Sequence, residues 1–220
     1  MTRWSSVKMT GWSSTNMARK NPNLWQEFKR QSIQEAVIRL MCREGLKSVT
    51  MERVAQEVGI AKGTVYLHYR DKQALLDAVK ESSLDPMSDK LFEIFKSDMP
   101  ADKKLQAYSM RYLTYFDDKR DLFRILLYER EIVRVQSSRY RANRYRRIVN
   151  GTTRVIQQGI DEGVFRDVDA ANVASMFVEA NFAILNQRLL TESPAPVEKD
   201  AQLITEIFFR GLAATKEKRK

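Results

Sequence analysis

The sequence is poor in the residues that build covalent staples, metal clusters and tight turns. It holds one cysteine, Cys42, and one histidine, His68. A lone cysteine excludes an intrachain disulfide and points to a reducing compartment, so a cytoplasmic location is expected. One histidine with one distant cysteine cannot build a metal cluster, and no Ser-His-Asp or Cys-His arrangement surrounds it. Catalytic residues, a metal and a cofactor are therefore not expected. Only 8 glycines and 5 prolines interrupt the 220 residues, and no useful stretch alternates apolar with polar side chains, so β-structure is not expected. No apolar run approaches the roughly 18 residues that cross a bilayer. The N-terminus also lacks the apolar core of a secretory signal. A membrane partner is not expected.

What is present describes a soluble helical chain: 43% hydrophobic and 30% charged residues, with a net charge of +10. Such a balance suits an anionic partner. The charge is unevenly spread. Residues 1–72 carry 13 Lys and Arg against 6 Asp and Glu, a net +7, which leaves +3 for the remainder.

Residues 1–22 are basic, rich in Ser and Thr, and aperiodic, and they read as a flexible arm. They either reach along DNA or precede the true start at Met17; Trp4 and Trp12 are the only hints of a contact. From Leu24 a helical period begins, with Leu24, Phe28, Ile33, Val37, Leu40 and Met41 on one face. Gly45 ends that helix and Thr50 is placed to cap a second, whose core face is Met51, Val54, Ala55 and Val58. Gly59 breaks the chain before a third helix from about Ala61 to Tyr69, and Asp71 caps a fourth. Further helices are expected at about 88–98, 101–116, 119–136, 139–162, 169–191 and 197–215. Pro100, Gly163 and the segment from Ser193 to Pro196 provide the breaks beyond Pro86.

Residues 50–72, TMERVAQEVGIAKGTVYLHYRDK, carry the chemistry. Two short helices joined by a tight glycine turn make a helix-turn-helix, in which the first helix braces on the DNA backbone and the second enters the major groove. At about 100° per residue, Val65 and Tyr69 turn toward the core. Gly63, Thr64, Tyr66 and Leu67 take the opposite arc, with Lys62 and His68 on its flanks. Thr64 and Tyr66 offer hydroxyls to phosphates, Leu67 an apolar contact to a thymine methyl, and Lys62 a cation to a guanine edge or a phosphate. Thr50 and Lys72 are placed as phosphate anchors. His68 is a DNA contact or a packing residue, and Cys42 a small core or flanking one.

The segment resembles the tetracycline-repressor (TetR) family. Thr50, Val54, Ala55, Gly59, Ile60, Ala61, Gly63, Thr64, Val65, Tyr66, His68, Tyr69, Asp71, Lys72 and Leu75 all stand where that family's signature places their kind. Ala61 stands where Ser is frequent, and Leu67 where an aromatic is often found. The resemblance implies an all-α fold: a helix-turn-helix domain at 23–72 and a larger helical domain for ligand binding and dimerisation at 73–220. It implies a ligand-released homodimeric repressor of a palindromic double-stranded operator, with an unidentified small-molecule inducer. A ligand-independent DNA-organising regulator with the same head is the alternative.

Within the larger domain two questions stay open. Tyr112, Phe116, Phe123, Leu127 and Phe182 are candidate ligand contacts, although aromatic stripes at helical spacing also build cores. Phe177, Asn181, Ile184, Arg188, Ile204 and Phe208 are candidate dimer contacts, forming stripes that pair with symmetry mates in a four-helix bundle or face their own subunit. The run from Arg139 to Arg147 holds five arginines in nine residues. It reads as a solvated face, a site for an anionic ligand, or a neighbour of DNA.

Overall fold

The computed structural model describes residues 22–128 and 138–212, and all the extended elements among these are helices. The arm before Pro22, the second half of the helix expected over 119–136, and residues 213–215 lie outside the described residues. So does the side chain of Leu127.

Nine helices follow in order among the described residues: α1 (Pro22–Glu44), α2 (Met51–Val58), α3 (Lys62–His68), α4 (Lys72–Lys96), α5 (Ala101–Asp117), α6 (Arg120–Tyr128), α7 (Ser138–Asp161), α8 (Ala170–Leu190) and α9 (Val197–Leu212). A 3-10 turn, Leu46–Ser48, links α1 to α2. Contacts divide the chain into two compact units, one ending at Leu75 and the other beginning at Leu76.

In the first unit, Ile33, Val37, Leu40 and Met41 of α1 share a core with Val54, Val65 and Tyr69. The apolar period of α1 reaches further back than its burial. Leu24 and Phe28 are about half exposed, at 58% and 49%, and so correct the expected core face. Phe28 stacks on Trp25 at 5.8 Å, and Lys29 lies over the Trp25 ring. Cys42 is exposed, which removes its core reading.

In the second unit the apolar ladder of α5 is central. Leu105, Tyr108, Leu113 and Phe116 are buried there, and Tyr108 packs on Phe177 of α8 at 5.3 Å. Phe177 in turn meets Phe208 of α9 at 5.1 Å. Gly151 of α7 lies so close to the Phe95 ring of α4 that an added Cβ would clash with it. The absent side chain lets the two helices approach.

Pro86 overturns one expected boundary. α4 runs unbroken through it, where a helix capped by Asp71 and a separate one from about 88 were expected. A proline removes one amide donor and crowds the preceding turn, and it kinks a helix when its surroundings supply the lost bonds. The carbonyl that Pro86 leaves without its amide is that of Ser82; at the neighbouring position the Tyr115 hydroxyl donates to the Ser83 carbonyl at 2.7 Å. Leu84 and Met87 anchor the same stretch in the core.

Candidate functional site

The turn between α2 and α3 is built as its residues require. The Thr50 hydroxyl accepts from the Arg53 amide at 3.2 Å and caps α2. Gly59 takes φ of 75°, in the left-handed region where side-chained residues are penalised. The Ile60 amide then reaches back to the Ala55 carbonyl at 3.0 Å, closing the helix end. Ala61 starts α3 without a side-chain cap. The Ala74 amide donates to Asp71 at 2.7 Å, so Asp71 caps the start of α4 just after the motif.

Burial divides α3 sharply. Val65 is fully buried and Tyr69, at its C-terminal end, is 3% exposed. The Tyr69 hydroxyl accepts from Gln34 at 2.9 Å, and Arg30 lies over its ring at 5.3 Å, which ties α3 to α1. Lys62, Gly63, Tyr66 and Leu67 are exposed, while Thr64 and His68 are half-buried. Leu67 is 84% exposed, a large apolar side chain with no packing role. A Cβ built on Gly63 would meet nothing within 4 Å, so packing inside the chain does not demand glycine there. Thr50 is exposed and Lys72 half-buried.

The charges of this unit are less free than their count suggests. Glu57 pairs with Arg39 and Arg43, and Glu44 with Arg43 and Arg53. Lys62 pairs with Glu52 of α2 and lies 5.8 Å from the Tyr66 ring. The hydrogen bond from Lys62 holds the Glu52 carboxyl below its usual range, and the same bond raises Lys62. Burial, then the charges of Arg30 and Lys29, hold His68 below its ordinary pKa, so it is neutral at pH 7. The sequence pattern had not drawn attention to Glu52; its place at α2 position two, one turn-and-break before Lys62, was the available signal.

A cavity of about 430 Å³ opens in the second unit. Tyr112, Phe116 and Phe182 line it. Phe123 does not: it is fully buried and packs on Phe116 at 4.4 Å and on Tyr115 at 5.9 Å, which makes it core. Periodicity could not separate the two fates, because both rings lie on the inner faces of neighbouring helices. The polar part of the lining, Lys80, Arg144, Tyr145 and Glu179, was not anticipated as a group. Arg144 and Tyr145 do come from the arginine-rich run, whose Arg147 lies over the Phe92 ring at 4.5 Å.

The stripes on α8 and α9 also divide. Phe177, Asn181, Arg188 and Ile204 are at most 4% exposed within their own subunit, which corrects their expected place in a dimer contact. Arg188 is held by Asp117 at 2.7 Å, by Asp200, and by the Ala195 carbonyl at 2.7 Å. A guanidinium so engaged has no surface to offer a partner. Ile184 and Phe208 are half-buried. The large apolar side chains that these helices leave exposed are Met176, Phe182, Leu190, Leu203 and Ile207.

No helix of the described residues is long and apolar enough to cross a membrane. Among the described residues no group of three or more His, Cys, Asp or Glu is placed to hold a metal ion.

Residues 33–79 match the model of the bacterial regulatory proteins of the tetR family, and residues 98–184 match that of the tetracyclin repressor-like C-terminal domain. An HTH-type transcriptional regulator of Staphylococcus aureus (strain bovine RF122 / ET3-1) is 34% identical over 87 residues, 40% of this chain and 46% of that protein. The chain thus spans about half the length of the curated relatives it matches. A TetR transcription regulator from Haloarcula marismortui ATCC 43049 superposes with a TM-score of 0.73 at 24% identity, covering 85% of this chain and 99% of the other. The ketosteroid transcriptional regulator KstR2 of Mycobacterium tuberculosis does so with a TM-score of 0.62 at 22% identity, covering 84% and 95%. At these identities the likeness concerns the fold alone. The two matched segments take in more than half of the chain, with the helix-turn-helix first, and the chain belongs to the tetracycline-repressor (TetR) family of bacterial regulatory proteins.

Proposed function

We propose that the chain is a DNA-binding transcriptional regulator, a homodimeric repressor released from a palindromic operator by a small molecule. The observation that carries the DNA-reading part is the division of α3. Its inner residue, Val65, is fully buried, while its outer face presents an 84%-exposed leucine, Leu67, beside Lys62, Gly63 and Tyr66. An apolar side chain held out in water on a polar, cationic helix face suits a groove that offers thymine methyls. Thr64 and Tyr66 bring hydroxyls to phosphates, Thr50 and Lys72 anchor the backbone on either side, and neutral His68 serves at the edge by hydrogen bonding.

Two such heads fit successive major grooves when their dyad spacing approaches one DNA turn, about 34 Å. The exposed apolar residues Met176, Leu190, Leu203 and Ile207 on α8 and α9 support pairing with a second copy. The cavity in the second unit supports a ligand. A ligand that binds the non-reading state more tightly than the reading state shifts the population away from DNA, and its differential affinity sets the size of the effect.

A selection of genomic fragments on the purified full chain, followed by footprinting, tests this reading. The expected result is a set of fragments that share an inverted repeat, protected at two half-sites on one face of the duplex about one turn apart. A repeat without dyad symmetry, or retention of all fragments alike, would overturn the operator reading. Retention of the repeat under every small molecule that enters the cavity would favour a ligand-independent regulator.

A further inference from the structure

The run of five arginines between Arg139 and Arg147 is the sequence feature that DNA reading leaves unused. Arg144 of that run lines the cavity, with Lys80 of α4 also on its wall. Five rings face the same space, those of Tyr108, Tyr112, Phe116, Tyr145 and Phe182. Such a wall suits a flat, apolar, ring-bearing body, because aromatic pairs gain beyond their buried area.

Most of the polar groups in the lining are donors. Tyr108 is fully buried, and its hydroxyl has no hydrogen-bond partner among the described residues. A buried donor left unpaired is costly, and in native proteins such a group calls for an explanation. Burial holds the Tyr108 and Tyr112 phenols well above their usual range, so both stay protonated donors at physiological pH. Glu179 is the one acidic residue of the lining, and its carboxylate is engaged by the Tyr145 hydroxyl. Two cationic side chains and three phenols line the cavity against one carboxylate, so donors outnumber acceptors on its wall.

We propose that the cavity binds an amphipathic organic anion: a ring-bearing apolar body with a carboxylate that accepts from the Tyr108 hydroxyl and pairs with Arg144. A guanidinium and a carboxylate match in plane and in charge, and the dry ring wall strengthens the pairing. This rests on the reading of the cavity as a ligand site and deepens it by naming the ligand's head.

Calorimetric titration of the full chain with three molecules of one shape tests it: biphenyl-4-carboxylate, biphenyl-4-carboxamide and 4-(aminomethyl)biphenyl. The carboxylate is expected to bind about tenfold or more tighter than the amide, and the amine weakest, in line with a charge-assisted bond. Tyr108→Phe is expected to weaken the carboxylate about five- to tenfold, on the same basis, while the melting temperature of the free protein holds or rises. A hydroxyl kept only for folding would instead lower that temperature. Arg144→Gln is expected to remove the preference of carboxylate over amide. Equal or tighter binding of the amide or the amine overturns the anionic head and leaves the ligand site standing. Binding of none of the three overturns the ligand site with it.

Discussion

The two units of this chain use apolar residues in opposite ways. In the first, the residues proposed to act are the ones that folding leaves out: Lys62, Gly63, Tyr66 and Leu67 stand in solvent while Val65 and Tyr69 hold the helix down. In the second, apolar residues of similar kind and spacing have three different fates. Phe123 is core, Phe182 lines a cavity, and Met176 faces outward. A short amphipathic helix has one buried side, so its outer arc is known once the inner one is. A helix packed on several neighbours has no such rule.

The sharpest way to break this contrast is to shorten rings of different fate. Phe123→Ala is expected to cost about 3–5 kcal/mol, the range for a buried aromatic truncated in a packed core. Phe182→Ala, at a position 41% exposed on the cavity wall, is expected to cost under about 1 kcal/mol. Denaturant unfolding of both variants checks the pair, and equal costs would erase the distinction between core and cavity.

Arg188→Ala comes next, at about 3 kcal/mol or more, because it strands the carboxylates of Asp117 and Asp200 beside a lost guanidinium. If Arg188 instead served a partner, the loss would fall on dimer dissociation and leave the unfolding of the monomer unchanged. Analytical ultracentrifugation alongside denaturation separates the two.

Within the first unit the expected effects are smaller and concern DNA. Lys72→Ala is expected to weaken binding to all sequences about equally and to flatten the salt slope by about one unit. Leu67→Ala is expected to change preference at a single base position, at a cost of about 1–3 kcal/mol for the favoured base. Glu52→Gln releases Lys62 from its carboxylate and removes a negative charge near DNA. Tightening of about two- to fivefold is expected, since an exposed pair is weak and screened by solvent. Weaker binding of this variant would mean that Glu52 orients Lys62 instead of competing for it.

The smallest effect is titration of His68. Its pKa is lowered by folding, so the unfolded chain binds the extra proton more readily. The stability it contributes is present above the unfolded value of about 6.5 and is lost as pH falls through the lower folded value. His68→Gln should therefore shallow the decline in melting temperature below pH 6.5, and an unchanged decline would assign it to other groups.

Legibility in the sequence followed the same division. The helix-turn-helix was readable because its signals are local: Thr50 and Gly59 close the ends of α2, Asp71 caps the start of α4, and Val65 and Tyr69 mark the inner side of α3. What could not be read depends on neighbours distant in sequence. Pro86 breaks a helix by local chemistry, yet Tyr115, 32 residues away from the Ser83 carbonyl it satisfies, accompanies a continuous one. Arg188 reads as a surface residue on a stripe until Asp117 and Asp200 arrive from two other helices. Leu24 and Phe28 share the period of α1 but find too few neighbours to be buried.

The central claim is that the outer face of α3 reads DNA. The most direct measurement is a salt titration of the full chain on its own upstream region by fluorescence anisotropy, with Leu67→Ala and Lys72→Ala beside it. The account predicts saturable binding at low salt and a linear fall of log affinity with log salt. It further predicts a slope reduced by about one unit in Lys72→Ala and an unchanged slope with altered base preference in Leu67→Ala. A folded, intact protein that fails to bind at low salt, or that binds with neither variant differing from the parent, would contradict it.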